Sequence, residues 1–424
     1  MKKQKVFYGW WVVLGCIVIT CTMVPLIMSL SNKFLIQITE ELNITRSAFT
    51  LANTILQSLG IFLSPIVARK LAKGNMRKIQ SFSIIGFVLA YGSYAFAQNV
   101  FHLYISAFLV GIFYLNATLI PVSMMITNWF IKKRGLAMSL AMSGIGLGGV
   151  IFSPVVTFFL TNYGWRKTYL FMALIVLILA LPTALFILKK KPEDMGLQAY
   201  GRDEEEANIK KSTKVSQGLL ISTEDSKKKV FFWIILFAML TNGIINSGSL
   251  GHFPPALEEM HGPTVQAAII SLYSFIGIFG KLAIGWIDDK FGTIVSTTVG
   301  CVTFALAFVF MLLGTNATLL YPMALFFGLG NAIGTVTPPL ITSAVFGADR
   351  YGEVYGIVNS ATQVGLSIGS LFIASIYDAS GSYTAAWIIL FVITIITYSG
   401  WICSYVLSRK YSDCTTDKRE ASTC

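Results

Sequence analysis

Runs of apolar residues about as long as a bilayer is thick leave this chain few ways to fold. Of its 424 residues, 55% are hydrophobic and only 12% charged, too few charges to cover a water-facing surface of that size, so lipid must be its solvent. Roughly 20 apolar residues cross the hydrocarbon as a helix. By that ruler the sequence predicts twelve spans, at 9–32, 48–68, 79–97, 102–126, 136–160, 168–188, 231–253, 265–286, 293–314, 317–341, 353–376 and 384–407. The runs are too long, and alternate too little, to be barrel strands. The first run, Tyr8 to Leu30, is long enough to span and has no small-residue cleavage site behind it, so it reads as a span rather than a signal peptide.

The formal charge of +12 would suit a nucleic-acid surface, but its placement speaks for a membrane. With both termini cytoplasmic, 27 of the 32 Lys and Arg fall in cytoplasmic segments; Lys33, Arg46, Arg166 and Lys167 fall outside, and Lys281 lies within span 8. This is the positive-inside pattern, and it predicts a multi-pass cell-membrane protein with no nucleic-acid partner. The clusters Arg69, Lys70, Lys73, Arg77, Lys78 and Lys132 to Arg134 read first as topology signals beside anionic lipid. Cys16, Cys21, Cys301 and Cys403 lie in spans and Cys414 and Cys424 in the tail, with no disulfide framework or metal spacing, so neither cofactor nor metal is expected.

Shifted by 217 positions, the chain repeats its plan. Gly60 meets Gly277, Gly111 meets Gly328, Thr118 meets Thr335, Pro121 meets Pro338, Gly135 meets Gly352, Gly148 meets Gly365 and Gly164 meets Gly381. The pattern predicts an all-α protein of two pseudo-symmetric six-helix bundles, 1–190 and 230–408, joined by a polar cytoplasmic linker at 191–229 and followed by an irregular tail at 409–424. Related helical halves in lipid place a substrate site between them near the midplane, which points to transport by a single chain. The run Gly144-x-Gly146-x-Gly148-Gly149 resembles a dinucleotide fingerprint but follows no strand, so it reads as a close helix approach instead.

Polar residues inside spans need partners or water. At helical spacing they form faces: Asn53 and Gln57 on span 2, Asn116 on span 4, Asn242 and Asn246 on span 7, Asn331 on span 10, and Asn359 and Gln363 on span 11. Interhelical hydrogen bonding could account for any one of them, less readily for stripes that recur in both halves. Lys281 sits seven residues before Asp288, roughly 10 Å in from the span end, on one face with Ser274, Gly277 and Gly285. It would snorkel, pair with Asp288 or Asp289, or hold an anion brought from outside, since no Asp or Glu lies deep in any span. Lys33 at the end of span 1 either snorkels or, if the helix continues past Asn32, overlooks the outer mouth. His102, His252 and His261 lie near outer span ends without a carboxylate at readable spacing.

These residues carry a resemblance. The loop Gly285-Trp-Ile-Asp-Asp289-Lys290-Phe-Gly292 resembles the G-x-x-x-D-[RK]-x-G signature of the major facilitator superfamily; its first-half counterpart, 68–78, keeps the basic residues and lacks the acid. Tyr8-Gly9-Trp10-Trp11-Val-Val, the run NWFIKKRGLAMSLAMSG at 128–144 and KPEDMGLQAYG at 191–201 resemble the monocarboxylate transporters and the oxalate:formate antiporter family. The resemblance implies that a basic residue on span 8 binds the substrate carboxylate, and Lys281-Leu-Ala-Ile-Gly285 matches that position with Lys for Arg, a point charge for a bidentate fork. It also implies a role for Lys33, which precedes Glu41-Leu42 by eight residues as a span 1 lysine does in some members. Two departures qualify it. Thr362 stands where oxalate-type members carry a second cation, which favours a single carboxylate, and Gly277 stands where proton-coupled members carry an Asp.

The expected function is secondary transport of small monocarboxylates of pyruvate, lactate or formate type, with a proton or a counter-anion as coupled partner. Lys281, Lys33, Asn53, Gln57, Asn116, Asn359 and Gln363 are its substrate contacts, and Gly285, Asp289, Lys290 and Gly292 its moving loop. Multidrug-type efflux would call for a membrane-embedded carboxylate, a sensor for an output domain, and an enzyme for a nucleophile–base or metal cluster; none is legible.

Overall fold

Broken helices of lipid length build most of the described chain. The structure, a computed structural model, describes residues 7–28, 30–202 and 223–420. Span 1 is Gly9–Met28, span 2 Arg46–Lys73, span 3 Met76–Ser93 and span 4 Val100–Ala117 with Leu119–Trp129. Spans 5 and 6 share Arg134–Pro182, and spans 7 and 8 share Val230–Phe291. Span 9 is Thr293–Leu312, span 10 Leu320–Gly330 with Thr337–Phe346, span 11 Ala348–Ser380 and span 12 Thr384–Glu420. Among the described residues, eleven helical stretches are long and apolar enough to cross a membrane. One of them, Arg134–Ile187, runs 54 residues and is two spans in series.

What divides the shared helices is glycine. Gly164 (φ 74°, ψ 169°) separates span 5 from span 6, and Gly262 (φ 79°, ψ 170°) separates span 7 from span 8. Residues with a Cβ seldom adopt that backbone, so both reversals need no longer loop. The only pairing of extended backbone described is an isolated bridge between Phe130 and Tyr200.

The chain divides into two compact units, one of residues up to Ile131 together with Leu140–Tyr200, the other of Lys132–Ser139 with everything from Gly201 onward. Each shows the same internal plan. In the first, a Cβ on Gly111 would lie 2.7 Å from Leu59 and 3.0 Å from the Leu56 carbonyl; in the second, a Cβ on Gly328 would lie 2.7 Å from Ile276 and 2.8 Å from the Tyr273 carbonyl. Those neighbours are themselves 217 apart, so spans 2 and 4 approach as spans 8 and 10 do. The fourth helix of each unit also breaks at one repeat position, Thr118 (φ −110°, ψ −110°) and Thr335 (φ −130°, ψ −37°). Pro121 and Pro338, three residues on, supply no backbone N–H and so fit the first turn of the helix that resumes. Gly328→Val should lower the thermal midpoint in detergent, at a cost of about 1–3 kcal/mol for overpacking. Gly277→Ala, whose Cβ would meet only the Gly328 carbonyl at 3.6 Å, should leave it nearly unchanged, and equal shifts would refute the close-packing account.

At both junctions order extends past the sequence boundaries. The first unit continues to Tyr200, ten residues into the expected linker. Tyr200 N–H donates to the Trp129 carbonyl at 2.9 Å and Ile131 N–H to the Tyr200 carbonyl at 3.0 Å, while its ring lies 5.3 Å from Phe7 and 5.9 Å from Phe130. One aromatic with two backbone bonds is anchor enough for a polar strap. Lys190 begins it, donating to the carbonyls of Ala72 and Gly74 at the end of span 2. Burial, and then neighbouring Lys191, hold its ammonium below the usual lysine range, against an opposite pull from Asp194. The rest of the expected linker, 203–222, and the chain end, 421–424, lie outside the described residues. Span 12 continues as helix through Glu420, past the Arg409 boundary, with no proline to stop it.

Candidate functional site

In the first unit, span 1 ends at Met28 and Ser31–Phe34 form a 3₁₀ turn, so Lys33 is not on a continued span helix. Its Nζ donates to Thr157 Oγ1 at 2.7 Å and to the Ser153 carbonyl at 3.4 Å, both on span 5. Glu41, eight residues on, accepts from Trp165 Nε1 at 2.5 Å and Arg166 Nε at 3.0 Å. Arg166 also donates to the carbonyls of Ala95 and Ala97 and lies 4.2 Å over the Trp165 ring, tying the short helix Leu35–Glu41 to spans 3 and 6.

Asn53 lines a small cavity with Ser31, Tyr91, Tyr94 and Tyr169, and Gln57 stands one turn further along span 2, half-buried. The Tyr91 hydroxyl is buried there without a partner among the described residues. Asn116 donates to the Ile112 carbonyl of its own helix at 2.9 Å, and its Oδ1 is buried without a partner among the described residues. Thus Asn53 and Gln57 share a face, whereas Lys33 and Asn116 are engaged elsewhere. The tyrosine group, with the Tyr169 ring 5.0 Å from Tyr91 and 4.9 Å from Tyr94, leaves no mark in the sequence because spans 3 and 6 meet only in three dimensions.

In the second unit Lys281 is 7% exposed and has no hydrogen bond or ion pair among the described residues. Both acids that might have neutralised it are committed elsewhere. Asp288 accepts from Ser296 Oγ at 2.8 Å, and Asp289 accepts from the backbone N–H groups of Gly135 at 2.8 Å and Leu136 at 2.7 Å. Those amides begin the helix at Arg134, where unsatisfied donors and the helix dipole favour a carboxylate. Arg134 donates to Ser343 Oγ at 2.6 Å.

Around this contact the loop signature falls into roles. A Cβ on Gly285 would strike the Gly135 carbonyl, so only glycine permits the approach. Lys290 Nζ lies 4.8 Å over Trp286 and 5.2 Å over Phe291, and Gly292 (φ 86°) ends span 8 with its N–H on the Asp288 carbonyl. Asn359 and Gln363 are half-buried one turn apart on span 11, and neither is bonded to Lys281. Asn246 of span 7 donates to Asn242 Oδ1 at 3.0 Å, and Asn242 Nδ2 is buried without a partner among the described residues. Among the described residues no group of three or more His, Cys, Asp or Glu could hold a metal ion.

Two repeated bundles of lipid-length helices, broken at matching points, have the architecture of a membrane transporter rather than an enzyme. Residues 12–370 match the model of the Major Facilitator Superfamily, and the chain belongs to that superfamily. Among its relatives is monocarboxylate transporter 12 of Mus musculus, 22% identical over 90% of this chain and 82% of that one. Monocarboxylate transporter 13 of Rattus norvegicus is 23% identical over 72% of this chain and 67% of that one. The human organic anion transporter MFSD10 (TETRAN) shares the fold, with a TM-score of 0.66 and 13% identity over 93% of this chain and 98% of that one.

Proposed function

We propose that the protein is a secondary transporter of small monocarboxylate anions, working by alternating access in the cell membrane with both termini cytoplasmic. The observation that carries the reading is Lys281, a buried ammonium without a counter-charge among the described residues. An unpaired charge in a low-dielectric interior is costly, and the cost falls when an anion arrives to pair with it. One such cation matches one carboxylate. The similarity to proteins named as monocarboxylate transporters supports the same cargo.

Lys281 is the main anion contact in this reading. Asn53, Gln57, Asn116, Asn359 and Gln363 offer neutral polar wall, and Lys33 a second cation once it leaves Thr157. Asp289 at the start of span 5 is the latch of the moving loop, with Gly285, Lys290 and Gly292 shaping its approach. The test is a panel of radiolabelled carboxylates in proteoliposomes, with and without an imposed pH gradient. Saturable flux of a C1–C3 monocarboxylate, competed by its neighbours and poorly by dicarboxylates, is expected; flux of dicarboxylates alone, or of none, overturns the reading.

A further inference from the structure

Resting on the carboxylate reading, we propose that His252 binds the proton that travels with the anion. The imidazole sits between three helices of the second unit. Its Nε2 is 2.9 Å from the Ser370 carbonyl oxygen and 3.3 Å from Ser370 Oγ, both on span 11, and its Nδ1 is 3.4 Å from the Tyr383 hydroxyl at the start of span 12. A carbonyl can only accept, so the short contact places the hydrogen of the neutral ring on Nε2. Nδ1 then holds the free lone pair and accepts from Tyr383.

A proton taken from water onto Nδ1 makes the ring an imidazolium with two donors. The Tyr383 hydroxyl, a donor before, must turn and accept.

The groups facing His252 suit a cation. On its own helix pair stands Glu259, whose Oε2 accepts from the Tyr377 hydroxyl of span 11 at 3.2 Å. The Tyr377 ring lies 4.3 Å from that of Tyr383, which is itself 5.7 Å from the imidazole. Glu259, Tyr377 and Tyr383 thus form a chain of acidic and phenolic groups that ends at the imidazole. His261, further along, has its Nε2 2.6 Å from the Gly314 carbonyl, at the end of span 9.

Position links the proton to the carried anion. His252 lies on span 7 with Asn242 and Asn246, and span 7 packs on span 11, which bears Asn359 and Gln363. Gly243 approaches the Thr362 carbonyl too closely to admit a Cβ, and a Cβ on Gly251 would lie 2.8 Å from Ser370 Oγ. A charge change at His252 therefore acts at the outer end of the helix pair whose inner faces carry the polar stripes. One carboxylate with one proton is an electroneutral cargo, driven by a pH gradient and indifferent to voltage.

The experiment uses the full chain in proteoliposomes loaded with unlabelled monocarboxylate, or empty and with an inward proton gradient. The readout is the ratio of gradient-driven accumulation to labelled-for-unlabelled exchange. His252→Gln keeps an N–H for the Ser370 carbonyl and cannot titrate, so that ratio should fall at least tenfold. An unchanged ratio overturns the proposal, as does wild-type exchange without any response to the gradient, a result that leaves the carboxylate reading standing. Absence of carboxylate flux in both arms rejects that reading and this inference with it. Should His252→Gln fail to fold, Tyr383→Phe decides: removing the hydroxyl that faces Nδ1 must move the midpoint of flux against pH by half a unit or more, and an unmoved midpoint overturns the assignment.

Discussion

Lys281→Ala is expected to abolish saturable monocarboxylate flux, and Lys281→Leu to make the protein more stable. Truncating one partner of a desolvated charge pair costs about 2–5 kcal/mol of binding, so affinity should fall by roughly thirtyfold to a few thousandfold. The same side chain is 7% exposed and has no partner among the described residues, so an apolar residue of similar volume in its place relieves a desolvation cost with no bond lost. The thermal midpoint of Lys281→Leu in detergent should therefore rise, and added carboxylate should stabilise wild type but not the variant. Lys281→Arg should retain measurable flux, because the charge stays while its geometry changes from point to fork. Flux and affinity unchanged in Lys281→Ala would remove the basis of the anion reading. A variant that is less stable and still transports would mean that Lys281 is structural.

Asp289→Ala is expected to cut transport by at least tenfold and to loosen the start of span 5. The carboxylate takes two charge-assisted hydrogen bonds, 2.8 Å from Gly135 N–H and 2.7 Å from Leu136 N–H. Bonds of this kind contribute about 1.5–3 kcal/mol each, and at a helix N-terminus the dipole adds to them. Asp289→Asn preserves shape and one acceptor oxygen but loses the charge, so it should fall between wild type and alanine. Amide hydrogen exchange at residues 134–139 measures the loosening directly. If exchange there is unchanged in Asp289→Ala, the carboxylate is not what holds the helix start.

Much of the fold was legible because it follows from lipid. Length and apolarity set the spans, and the two runs Arg134–Ile187 and Val230–Phe291 hide their divisions only from a helix ruler, since Gly164 and Gly262 turn the chain in one residue. The offset of 217 was also legible, and it is realised as the same glycine contacts and the same helix break in each unit. Partners were much less legible. Asp289 stood out through its signature, yet the amides it caps are 153 and 154 positions away. Lys33 stood out through spacing to Glu41, yet Glu41 is bonded to Arg166 and Lys33 to Thr157. His252 seemed isolated because Ser370 and Tyr383 are 118 and 131 positions distant.

By itself the sequence determined the solvent of this protein, the number and doubling of its helices, and the presence of a lysine on a small-residue face, because burial in lipid and backbone sterics act locally on each run. Only the tertiary structure decided which charges are satisfied. Hydrogen bonds reach about 3 Å and carry no mark in the spacing of distant residues. Asp288 and Asp289 could each have neutralised Lys281 on the sequence alone; packing sent one to Ser296 and the other to the start of span 5, and left the ammonium without a partner among the described residues.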